Sequence, residues 1–215
     1  MDQEREAAHE SGELRATLLN IAWLAIALGL VLEVIILGVA AAFRNLPGLN
    51  PLIADLVHKV SWSVIVCVGL TFGKAASKGQ AAWAGLAGLL AAPLAFNIAR
   101  TLHKGAAYAL GITGPSAAAS PLILGSLKGA EYAFLGLLLT WIGKQRWGGA
   151  IAHVGTGLVA GVIFGGAIVA IVESSAPAPL LPQALLSQAI NEVLFPVGCS
   201  LAIFAAETMG KKSVR

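Results

Sequence analysis

Six stretches of this 215-residue chain are long and apolar enough, as helices, to cross a membrane. Crossing about 30 Å of hydrocarbon takes about 20 helical residues. Apolar runs read against polar breaks place the spans at 17–43, 52–73, 80–100, 121–142, 150–172 and 184–208. The chain between is punctuated by turn residues, as in Arg44-Asn45-Leu46-Pro47-Gly48, Ile112-Thr113-Gly114-Pro115 and the Pro-rich stretch from Ser174 to Pro179. Only 12% of residues are charged, about half the usual share of a soluble domain. That is too little to cover a water-facing surface, which excludes a soluble globular fold, a disordered chain and a nucleic-acid partner. The expected class is an all-α integral membrane protein in contact with the lipid bilayer. It has a short tail (1–16), a six-helix transmembrane unit (17–209) and a basic C-terminus (210–215).

Lysine and arginine gather on the cytoplasmic side of membrane proteins. With the N-terminus inside, nine basic residues fall there (Arg5, Arg15, Lys74, Lys78, Lys144, Arg146, Lys211, Lys212 and Arg215) against five (Arg44, Lys59, Arg100, Lys104 and Lys128) on the other side. Both termini are therefore expected in the cytoplasm, and the cell inner membrane is the expected location. The acidic N-terminal segment lacks the basic n-region of a signal peptide, so the first run reads as an uncleaved span.

An internal repeat is also legible. The even-numbered spans open with Pro51-Leu52-Ile53, Pro121-Leu122-Ile123 and Pro179-Leu180-Leu181, and close with Gly73-Lys74, Gly143-Lys144 and Gly210-Lys211. Pro51 and Gly73 are 22 residues apart, as are Pro121 and Gly143, whereas Pro179 and Gly210 are 31 apart. Lys59 and Lys128 correspond, as do Leu70-Thr71-Phe72 and Leu139-Thr140-Trp141. The reading is three tandem two-helix hairpins around a pseudo-threefold axis along the membrane normal.

Small residues at four-residue spacing mark packing faces, because close backbone approach supplies the helix contact in lipid. Gly157, Gly161 and Gly165 form one such stripe, continued by Gly149 and His153. Ala84, Gly88 and Ala92 form a second, and Gly125, Gly129 and Ala133 a third. Each serves either packing within one protomer or a contact between copies, so a homo-oligomer is an expected partner. Pro93 and Pro196 mark sites where a span can kink.

Charged residues inside a span default to function. Counted from the closing glycines, Lys59, Lys128 and Glu131 lie roughly 18–22 Å in and Glu192 roughly 27 Å. Glu33 sits at similar height in the first span. Asp55 and Lys59 are spaced for a helical ion pair, as are Lys128 and Glu131. The candidate binding site is Lys59, Lys128, Glu131 and Glu192, with Glu33 and His58 as neighbours. His58 and His103 raise a bis-His haem as a cofactor, a weak reading without further context. Cys67 and Cys199 read as small packing residues without a disulfide framework. HExxH, Walker-loop and nucleophile-elbow patterns are absent from the sequence, so no catalytic residue is assigned.

Six spans in roughly 200 residues resemble, in size and topology, the substrate-capture subunits of energy-coupling-factor vitamin transporters. The three-hairpin plan is shared with mitochondrial carriers, whose Pro-x-Asp/Glu-x-x-Lys/Arg signature this shorter chain lacks. The leading expectation is a channel or transporter for an ion or small polar solute, with a mixed-charge site in the outer half of the membrane. The alternative is a non-catalytic substrate-capture or assembly subunit of a larger membrane complex, which the resemblance implies. An intramembrane enzyme ranks third.

Overall fold

The computed structural model describes residues 2–77, 79–112 and 119–213, with side chains described for 11–77, 79–112 and 119–210. The side chains of Arg5, Lys211 and Lys212, all of Lys78 and Arg215, and the turn expected at 113–115 lie outside the described residues. The chain is all-helical: α1 (Asp2–Ala42), α2 (Leu49–Ala76), α3 (Ala81–Ala109), α4 (Pro121–Ile142), α5 (Ala150–Ser175) and α6 (Pro182–Ser213). All six are long and apolar enough to cross a membrane.

The helices outrun the apolar segments. α1 runs back to Asp2 through the segment expected to be a tail, and α3 continues past Arg100 to Ala109. Apolarity marks the part of a helix suited to hydrocarbon, whereas the helix itself stops only at a breaker. After Ala42 the stop is a Schellman turn: Asn45 N–H donates to the Ala40 carbonyl and Arg44 N–H to that of Ala41. Arg44 takes the left-handed conformation there (φ 55°), and Leu46-Pro47 prevents the helix from resuming. α3 ends in the same motif, with Gly111 at φ 70°. Pro121 opens α4 at its first turn, where its missing N–H costs nothing.

Each helix packs on its neighbours in sequence, and α6 closes onto α1. The three even-numbered helices also meet one another, so the odd ones fill the gaps around a centre built by α2, α4 and α6. Tyr132, Leu135 and Leu139 of α4 form that core with Trp62, Val66, Cys67 and Leu70 of α2 and Phe195, Cys199 and Ile203 of α6. Both chain ends lie at one end of the bundle: Gly210 of α6 touches Thr17 of α1. At the opposite end, Asn45 Nδ2 donates to Gln183 Oε1 (2.8 Å), joining the start of α6 to the end of α1.

Glycine decides how closely these rods approach. A side chain at Gly157 would meet Pro196 and Val197, one at Gly161 would meet Val193, and one at Gly165 would meet Glu192, all on α6. The stripe on α5 is thus spent inside the protomer; only its extension at Gly149 is exposed. Gly88 rests on the Tyr132 carbonyl and Gly136 on that of Ala84, which locks α3 to α4 in the same way. With all three stripes engaged within the chain, they give no separate indication of a second copy.

Neither internal proline breaks its helix. Each removes the N–H that would bond the carbonyl four residues back, which frees the carbonyls of Leu89 and Glu192. Those two carbonyls are the ones that Gly129 and Gly165, respectively, approach. At Gly161–Gly165 α5 widens into a single π-helical turn, a local defect that recurs at functional sites. It lies against Val193 and Glu192.

Candidate functional site

Midway along α4, Lys128 and Glu131 project on one face because they are three residues apart. The Lys128 ammonium donates to Glu131 Oε2 at 2.9 Å and to the Glu192 carboxylate of α6. Trp62 of α2 brings its ring to 5.7 Å from the same Nζ, and Tyr132 to 5.9 Å. All three central helices therefore contribute to one charged cluster. Glu131 is 0% exposed, Lys128 7% and Glu192 8%. Placing a single charge at the bilayer centre costs about 2.5–3.5 kcal/mol even on the gentlest scale. Three charges brought together from two helices are thus an expensive arrangement that random drift of lipid-facing residues would not produce.

Aromatic rings close the cluster on the side facing the chain ends. Trp62 and Tyr132 meet edge to face at 5.7 Å, and Phe195 lies 5.8 Å from Trp62 and 6.4 Å from Tyr132. Beyond them the core is apolar (Val66, Leu70, Leu135, Leu139 and Ile203), and the Sγ atoms of Cys67 and Cys199 face each other at 2.9 Å as free thiols. Farther on, a cavity of 650 Å³ opens at the end that carries both termini. Thr71, Lys74, Thr140 and Glu207 line it, with Lys74 Nζ bonded to both carboxylate oxygens of Glu207 at 2.8 and 2.9 Å. Thr71 and Thr140 donate to the carbonyls of Cys67 and Gly136 within their own helices, which leaves their oxygens free to accept.

The six candidate residues do not form one site. Lys128, Glu131 and Glu192 come together. Lys59 of α2 pairs instead with Glu33 of α1, a separate and largely buried pair. The Asp55–Lys59 pair expected from spacing is corrected: Asp55 faces His103 Nε2 at 3.1 Å. Asp55 and Lys59 each find a partner on a neighbouring helix rather than one turn along their own. His58 sits against His103 with ring centroids 5.7 Å apart, edge to face. The rings touch each other, so no porphyrin plane fits between them, and the haem reading does not fit this geometry. His153 is buried, with Nδ1 on the Gly149 carbonyl at 3.0 Å and its ring against Phe204.

Reading the sequence missed the aromatic closure, the Lys74–Glu207 pair and the π turn. The first had a signal. Each even helix carries an aromatic residue about one turn after a charged one: Lys59 then Trp62, Lys128 then Tyr132, Glu192 then Phe195.

Comparison of the chain with family models, with curated proteins and with solved structures finds no match. The fold and the site define a class by themselves: a six-helix multi-pass membrane bundle with a buried ion cluster at its centre.

Proposed function

We propose that the protein is a permeation protein, a channel or transporter for an ion or small polar solute, whose selective site is the Lys128–Glu131–Glu192 cluster. The observation that carries this reading is that cluster itself: three ionisable residues, buried where the three central helices meet in a largely apolar bundle. Intramembrane charges that pair with one another and face a bundle interior mark substrate and ion pathways. The polar cavity at the terminal end, on the same central helices, supplies a second water-facing station. The aromatic and apolar segment between them is the barrier that a conformational change must open.

The repeat supports a mechanism of this kind. Each odd helix packs on the even helix that follows it and on the even helix before it, α1 between α6 and α2, α3 between α2 and α4, and α5 between α4 and α6. This is the order three tandem hairpins produce around a pseudo-threefold axis, and rocking of repeats about a central site is a common route to alternating access. In this reading, supported by the excess of basic residues on one side, both termini face the cytoplasm and the cluster is reached from the outer face of the cell inner membrane. Lys59 and Glu33 form a second, largely buried pair, between α2 and α1.

The test is flux in liposomes containing the purified protein, screened over monovalent ions, protons and small zwitterions. Flux in the wild type that is lost in Glu131→Gln supports the reading. Absence of flux for every solute, with stoichiometric co-purification of larger membrane partners, would replace it with the role of a non-catalytic subunit.

A further inference from the structure

We propose that the central cluster carries one exchangeable proton, held on Oε1 of Glu131, and that the proton is a species the protein moves. The inference deepens the permeation reading and rests on it for the movement, whereas the proton site stands on geometry alone.

The charge count is the first observation. One ammonium faces two carboxylates, a net charge of −1 in an interior that tolerates charge only when it is compensated. The charged groups facing Glu131 are Lys128 on its own helix and Glu192 on α6. The other titratable groups around it are Tyr132, Cys199 of α6 and, next to the Tyr132 phenol, Cys67 of α2; none brings a positive charge. Among the described residues, α3 and α5 bring no charged side chain into contact with Glu131. On the outer side Lys59 is already taken by Glu33.

The second observation is which oxygens remain. Lys128 bonds Oε2 of Glu131 and Oε2 of Glu192. Glu131 Oε1 is fully buried and has no hydrogen-bond partner. An unpaired carboxylate oxygen in such a place is costly. Hydronium gives its proton to that single oxygen: one O–H bond of the donor breaks, one O–H bond forms on Oε1, water is left behind, and the Lys128 contacts on the other oxygens are kept. The cluster passes from −1 to neutral, and return of the proton to water restores −1. A hard metal cation asks for about six oxygens, whereas ring edges of Trp62, Tyr132 and Phe195 close one side of the cluster.

The experiment is infrared spectroscopy of the protein in lipid nanodiscs, paired with dye-reported proton flux in liposomes under a valinomycin potential. The expected spectrum at neutral pH has the C=O stretch of a protonated carboxyl group, shifted in D2O, lost in Glu131→Gln and retained in the exposed control Glu173→Gln. Proton flux is expected in the wild type and is lost with the band. If Glu131→Gln does not fold, the D2O shift and pH titration of the wild-type band decide. A missing band, or one that persists in folded Glu131→Gln, overturns the proton site. So does saturable thermal stabilisation by NaCl or KCl without the band, which assigns the site to a metal cation. Flux of another solute without protons overturns the proton as transported species and leaves the permeation reading standing. A band without any flux does the reverse: the proton site holds and the permeation reading fails.

Discussion

Lys128 holds two carboxylates that come from different helices, and removing it exposes what burial costs. Lys128→Met leaves at least one buried carboxylate without compensation, which should destabilise the bundle by about 3–5 kcal/mol. Glu131→Gln keeps the shape of the neutral, protonated acid, so it should fold nearly as well as the wild type. Thermal unfolding in mild detergent checks both. A Lys128→Met protein as stable as the wild type would mean that the carboxylates are solvated. At this scale the sequence was half legible. Spacing of three on one helix gave the Lys128–Glu131 pair, whereas counting residues set Glu192 roughly one to two turns nearer the outer side than the cluster it joins. The partner of Lys59 was not legible, because same-helix spacing is blind to a carboxylate such as Glu33 on a neighbouring rod. His103 was hidden from Asp55 for the same reason.

Between α5 and α6 the contact depends on single glycines, and two adjacent ones make a controlled comparison. Gly165 is buried against Glu192, whose carbonyl Pro196 has freed, whereas Gly166 is exposed and has nothing nearby. Gly165→Leu must push two backbones apart, and should cost at least the upper end of overpacking penalties, about 3 kcal/mol. Gly166→Leu should be tolerated. Size-exclusion chromatography and thermal unfolding distinguish them, and equal behaviour would contradict the packing described here. The stripe was legible as a four-residue period of small residues, and the two positions where spans contain proline were visible too. The π turn was not, since it depends on how α5 fits its neighbour rather than on a local pattern. Helix ends were legible only where a breaker sits: Arg44-Asn45-Leu46-Pro47 marked the end of α1, while polar residues after Arg100 did not end α3.

As a whole, the molecule is a ring of six helices with a charged centre, and two predictions belong at that scale. Cysteines introduced at Ala178 and Arg146 should label from opposite faces of intact membranes, because α5 separates them; labelling from one face would contradict the six-span topology. That there are six helices long and apolar enough to span was legible from apolar run length, which hydrocarbon thickness dictates. What the proposed site exchanges was not, because charge sign alone does not say it. The second prediction separates a structural from a functional origin of the central charges. Replacing Lys128, Glu131 and Glu192 together by leucine removes the whole cluster at once, and exchange of a buried ion group for packed hydrophobes is often neutral or stabilising. The triple variant should fold at least as stably as the wild type. Its flux in liposomes is the most direct measurement: the account predicts that flux is lost although the bundle is intact, and full flux through the stable all-leucine centre would contradict it.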